Sequence, residues 1–398
     1  MPNSFDAHRL VGACGDLSED GGLTIRTVLE PLAGPGAPVK PAVYAGGVYQ
    51  LDRRWDDTGD EPEPVDVVVV DNVPSEANRL EAALEQLRER IGLPEMILDL
   101  SSVGGLPAHL PRSLSGFRFP HRQADAYLRD ALLEGHPFPK TDVGRAVLAA
   151  NADNPAPLLE WFPQALVFGF WQSHLGKKGS QAKLARSWSS EIVGYRPATV
   201  DTRVLGLKGD PLNLSVDEPV AFDPDDPGGW AVIEGAKKVG GGKAKERLSE
   251  LGHGQVPVTV VEAALAGISF ARVEQRSTVS FAGLRRVWAG SAQANATARA
   301  LVAAIGVAAH VTAFGRAFSL RSGCELRPRT TTWTWLGAVD EEVSAPTIDE
   351  AVGLVDDCAA LAEAAGLPVG TRWPSEPLRL EPAPNLVDAI RRTWPAVG

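Results

Sequence analysis

A chain of 398 residues with 44% hydrophobic side chains is long enough for one large or two ordinary domains and apolar enough to bury a full core, which excludes global disorder. Cys14, Cys324 and Cys358 are odd in number and far apart, with no Cys-x-x-Cys pair; this argues against a disulfide framework or a zinc site and fits a reducing cytoplasm. The formal net charge of -11 counts against nucleic acid only until its distribution is read: residues 1–165 carry 14 basic and 25 acidic side chains, residues 166–330 carry 21 and 14, and residues 331–398 carry 4 and 11. A basic middle between acidic flanks suits a protein that holds a polyanion along one groove, and equally one that packs its basic side on an acidic surface of another copy.

The first residues, MPNSFDAHRL, lack the charged, apolar and small-residue order of a signal peptide, and no membrane association is expected. Residues 23–29 (LTIRTVL) alternate as a half-buried strand, and residues 65–70 (VDVVVV) read as a fully buried one. Between them lie a Pro- and Gly-rich passage, residues 34–47, and an exposed acidic loop, residues 56–66. Ser75 is placed to cap a helix over residues 76–91, whose Leu80, Leu84, Leu87 and Ile91 share one face. Short helices are expected over residues 123–133 and 142–150, and an apolar run of strand length, residues 165–171, is expected in the middle of a sheet.

Residues 191–207 read as one or two strands. Residues 208–255, rich in Gly, Pro, Asp and Lys, read as an excursion from the core. Order returns with a strand at 267–272, a short helix at 281–288, a long Ala-rich buried helix at 292–314, and strands at 318–326 and 333–336. Helices at 347–365 and 386–392 complete an α+β pattern with insertions.

The basic loop that follows residue 171 carries Ser173, His174, Lys177, Lys178, Lys183 and Arg186, with no acid until Glu191. Uncompensated charge of this kind suits a phosphate backbone lying at a sheet edge, or simply a solvated surface loop. His121, with Arg122 beside it, and His253 sit in polar, Arg- or Gly-rich company. Such imidazoles can pair with phosphates, stack on bases, cleave RNA by metal-free acid and base catalysis, or pack for stability. Arg276, Arg285, Arg286 and Arg321 fall beside expected strands or helix ends, where a guanidinium grips phosphate bidentately or closes an internal salt bridge. No catalytic motif survives inspection: GGGKAKE at residues 240–246 lacks the first glycine and the Ser or Thr of a phosphate-binding loop. No dinucleotide, metalloprotease or nucleophile-elbow signature occurs. No catalytic residue, metal or cofactor is therefore expected.

Eight segments in one order, LTIRTVLEPLAGPGAPVKPAVYAGG, VDNVPSEANRLEAAL, FPHRQADAYLRDALLEG, ALVFGFWQSHLGKKG, SSEIVGY, LGHG, STVSFAGLRRVW and SLRSGCELRP, resemble the CRISPR-associated Cas-seven backbone subunit of the type I-G (formerly I-U) Cascade complex. The resemblance spans about residues 23–328. It implies a RAMP-superfamily domain over residues 1–398: an RNA-recognition-motif-like (ferredoxin-like) palm with large insertions called fingers and thumb. The thumb-like insertion falls at 208–255 and an acidic helical extension at 340–398. It also implies a non-catalytic subunit that polymerises head to tail on CRISPR guide RNA. Its partners would be that RNA, target DNA through guide pairing, further copies of itself and other Cascade subunits. The alternative is a metal-independent ribonuclease that processes guide RNA with histidines.

Overall fold

The computed structural model describes residues 4–44, 48–104, 106, 109–172, 182–198, 211–212, 214, 219–223, 226–232, 246–248, 253 and 267–393. The chain forms two compact units. One comprises Met1–Ala42, Tyr49–Ala198 and Gly267–Trp394, and the other comprises Val43–Val48, Thr199–Ala266 and Pro395–Gly398.

The larger unit is a mixed α+β body around a curled antiparallel sheet. Its strands are β1 (Gly22–Pro31), β2 (Leu51–Asp56) and β3 (Glu63–Asp71), then, after the helix α1 (Val73–Ile91), a shorter helix α2 (Pro163–Phe168) and a small hairpin of β4 (Phe170–Trp171) with β5 (Lys183–Leu184). There follow β6 (Trp188–Pro197), β7 (Phe270–Ser280), the helix α3 (Ala292–Phe314), β8 (Phe318–Arg321), β9 (Cys324–Leu336) and the helix α4 (Ile348–Ala364). The order across the main sheet is β8-β9-β1-β7-β6-β3-β2, and every neighbouring pair is antiparallel.

Alternation along β1 buries Leu23, Ile25, Thr27 and Leu29 and leaves Thr24, Arg26 and Val28 on the opposite face. The register carries that split across the sheet: Ile25 faces Ser277 and Trp333, and Arg26 faces Arg276 and Thr332. The first face packs on α3, which is apolar on all sides and buried along nearly its whole length. Among the described residues, α3 is the one helix long and apolar enough to cross a membrane, and 94% of that apolar stretch is buried inside the fold. Its Gly306 lets the sheet approach: a Cβ there would lie 2.6 Å from the Trp188 ring.

Between α1 and the same face lies a buried polar cluster. Ser190 Oγ and Gln275 Nε2 both donate to Glu76 Oε2 at 2.6 Å, and Ser190 also meets Ser277 at 2.8 Å. Burial pushes the Glu76 carboxyl up to about 8. A second sheet joins Ser113–Ser115, Met96–Asp99, Leu378–Pro382, Ala131–Leu133 and His136–Pro137 in that order. Its central strand comes from far along the chain, and Leu378–Leu380 runs parallel to Met96–Leu98.

Several expectations need correction. Residues 165–171 are not a strand: α2 occupies Pro163–Phe168, and only Phe170–Trp171 is extended. An apolar run buried on every side carries no period to separate the two states, and Pro163 at the first helical turn decides for helix. Residues 123–133 do not form one helix, because Asp125 accepts from Tyr127 N and His121 N and restarts the chain. A 3-10 turn (Arg122–Ala124), a one-turn helix (Ala126–Arg129) and a strand (Ala131–Leu133) result. Residues 318–326 fold as a hairpin, turning at Gly323 (φ 77°), and 333–336 continue β9. The helix expected over 281–288 is a single turn, Phe281–Leu284. The cap of α1 is Asn72, whose side chain accepts from Ser75 N. The helix at 292–314 has the expected bounds.

In the smaller unit, Pro219–Asp223 pairs antiparallel with Asp226–Val232 and with Glu246–Arg247. Most of the excursion expected at 208–255 lies outside the described residues.

Candidate nucleic-acid interface

The loop singled out in the sequence leaves and re-enters the fold through a neck that is described, although Ser173, His174, Lys177 and Lys178 themselves lie outside the described residues. α2 ends at Gly169 (φ 73°), where a Cβ would lie 2.6 Å from both Arg186 N and Leu184 O; only glycine lets the returning strand pass. The hairpin then pairs Phe170 with Leu184 and Trp171 with Lys183, and Gln172 N donates to Ala182 O at 2.9 Å. Phe170 and Leu184 are buried, whereas Trp171 is 58% exposed opposite the exposed Lys183.

Arg122 holds this neck from below. It sits at φ 55°, a strained backbone for a side chain of its kind, and its guanidinium chelates Glu81 through Nε (2.8 Å) and Nη2 (2.7 Å). Nη1 donates to Gly169 O at 2.9 Å, and the guanidinium lies 5.5 Å from the Phe168 ring centroid. Burial pushes the Glu81 carboxyl up to about 7 against the pull of Arg122. Arg186 is exposed. Partial desolvation and the nearby Arg122 charge both lower its pKa, and among the described residues no carboxylate pairs with it. His121 is exposed next to Arg122. The neck therefore presents the indole of Trp171 with Lys183 and Arg186 above the largely buried Arg122–Glu81 pair, a combination able to stack a base and neutralise phosphate.

The remaining predicted arginines do different work. Arg321 donates to the buried Asp71 and to the carbonyls of Lys40 (3.1 Å) and Val70 (3.0 Å). Arg285 donates to Ser18 O and Asp20 O at 2.6 and 2.7 Å, and Arg286 bonds Gly283 O within its own turn. Arg321 and Arg285 are clamps between backbone segments, whereas Arg286 only closes its own turn. Arg276, on the open face of the sheet, pairs with the buried Glu274 and stays 47% exposed. In the smaller unit, the exposed His253 lies 5.5 Å from the Trp230 ring.

Two residues that belong with this chemistry were not foreseen. Trp171 ends the run expected in the middle of a sheet yet faces outward, and the polar sequence immediately after it is the signal of a strand leaving the core. Arg26 was hidden in an apolar strand, although its place on the polar half of the LTIRTVL alternation points it outward.

Residues 23–198, just under half of the chain, match the family model described as CRISPR-associated protein GSU0053. No curated protein matches the chain. The matched segment runs from β1 through the basic neck to the end of β6, and the match supports a CRISPR-associated protein with a role in CRISPR defence.

Proposed function

We propose that this chain is a non-catalytic, guide-RNA-binding backbone subunit of a type I-G Cascade complex, which assembles head to tail along CRISPR RNA. The observation that carries the proposal is the exposed Trp171 facing Lys183 at the mouth of the basic loop, with Arg186 beside it and Arg122 underneath, inside the segment that matches a CRISPR-associated family. An aromatic platform flanked by cations binds single strands without reading their sequence, as a guide of any sequence requires.

The topology supports an RNA-recognition-motif-like palm. Within the main sheet the order β9-β1-β7-β6, with α1 between β1 and β6 and α3 between β7 and β9, is the split β-α-β arrangement of that class. Strands β2 and β3 and the smaller unit are then insertions, the latter in the place of a thumb. The cytoplasm is the compartment this role requires.

The test is purification with a co-expressed repeat-containing transcript, followed by binding of labelled single-stranded RNA as a function of salt. RNA should co-purify in a high-mass complex and be recovered intact. Lys183→Gln with Arg186→Gln should lower the salt slope by about 1.4, as for two single-strand phosphate contacts. A monomer that ignores RNA would overturn the proposal, and specific cleavage of the transcript would replace it with the ribonuclease.

A further inference from the structure

On the face of the sheet turned away from α3, Arg26 of β1 and Arg276 of β7 stand directly opposite each other in register. Like charges at facing positions repel. This pair is held by Glu274, whose side chain is fully buried: it accepts from Arg26 Nε at 2.9 Å and Nη2 at 2.8 Å, from Arg276 Nε, and lies 3.2 Å from Arg272 Nε. Arg272 is fixed in turn by Asp56 (3.0 Å) and by the Tyr195 ring, 4.2 Å from its guanidinium. The guanidiniums of Arg26 and Arg276 are thus oriented before any ligand arrives, and their side chains remain 42% and 47% exposed.

Their outer contact is Asp57, at the start of the acidic loop between β2 and β3. Its Oδ1 lies 3.5 Å from Arg26 Nη2 and 3.7 Å from Arg276 Nη2, longer than a charge-assisted hydrogen bond, and the side chain is itself 53% exposed. Thr24 and Thr278 face each other one step along the same face, with Thr332 opposite Arg26. Two oriented guanidiniums, neighbouring hydroxyls and one loosely held exposed carboxylate between them make an oxyanion site with a weak resident.

We infer that Arg26 and Arg276 form a phosphate-binding pair for single-stranded RNA, built on Glu274, and that the Asp57 carboxylate occupies the phosphate position until RNA displaces it. This rests on the RNA-binding reading above and adds to it a contact away from the loop neck, with an intramolecular competitor that makes binding selective for a charge-dense strand.

The experiment is fluorescence anisotropy of a labelled oligouridylate against salt, with oligothymidylate as the second arm. Asp57→Asn, a change at an exposed loop position, should tighten binding roughly two- to fivefold, as expected for removing two weak exposed ion pairs. Arg26→Gln with Arg276→Gln should lower the slope by about 0.7 and abolish the gain from Asp57→Asn. An equal gain for oligothymidylate identifies phosphate as the recognised group, whereas a gain confined to RNA would move the contact to the ribose hydroxyl and overturn the assignment. Unchanged affinity for Asp57→Asn, in a protein whose Lys183 and Arg186 variant does lose RNA, would remove this site and leave the proposed function standing. No binding by either wild type or Asp57→Asn would remove both.

Discussion

The two faces of the main sheet each bury a carboxylate, and they satisfy it in opposite ways. On the helix side Glu76 receives a hydroxyl and an amide, both neutral, and burial drives its pKa up to about 8. On the other side Glu274 receives three guanidiniums. Neutral donors leave a buried acid inclined to take up a proton, so that it becomes part of the core. Cationic donors are instead aimed by it, and the face stays charged toward solvent. The same residue type thus closes one surface and equips the other.

Removing the charge from the outer carboxylate should have the largest effect. Glu274→Gln strands three guanidiniums around a neutral amide, and the loss should approach the roughly 3–5 kcal/mol of a broken buried ion pair. Chemical denaturation measures it, and a change near zero would mean that the three arginines are held without it.

The inner carboxylates should instead show in the pH dependence of unfolding. Glu76 and Glu81 are raised in the folded state, to about 8 and about 7 from 4.5, so the folded protein binds protons the unfolded chain has released. Their contribution is complete below about pH 4.5 and is lost as the pH climbs through 7 and 8. Each group sets a slope of at most about 1.4 kcal/mol per pH unit in that window. Thermal melts across it should show stability falling with pH, and Glu76→Gln should flatten the curve; a rise with pH would reverse the assignment.

Next in size is Trp171→Ala, which should weaken RNA binding by about 1–3 kcal/mol, the usual worth of one stacked base, without altering the melting temperature. Equal affinity would leave the indole without a part in binding. Smallest of all, Arg286→Ala removes a bond within one exposed turn and should change stability by less than about 0.5 kcal/mol. A larger loss would make that turn structural.

The legible helices of the chain were those where a period, or sheer apolar length, coincided with a cap. α3, with Ser291 accepting from Ala294 N, and α4, with its Thr347 and Glu350 capping box, could be bounded from sequence almost to the residue. β1 could be read because one of its faces is polar. α2 could not: buried on all sides, it has no polar half to mark a period, and its six residues are too few for length to decide, as the 23 of α3 do. The site divided along the same line. Lys183 and Arg186 stand out as candidates because they lack local acids, whereas the partners of Arg321, Arg285 and Arg122 lie at Asp71, at the carbonyls of Ser18 and Asp20, and at Glu81, all distant in sequence. No local pattern separates an arginine that clamps backbone from one that awaits phosphate. That distinction is made by what folds around it.

The second sheet carries a temporal consequence. Its strands Met96–Asp99 and Ala131–Leu133 flank Leu378–Pro382, so on a ribosome both emerge long before the segment that joins them. Until then each exposes an unpaired edge, and a nascent chain is open there to chaperones and to misassociation. Completion of this sheet therefore waits on one five-residue strand made long after its neighbours.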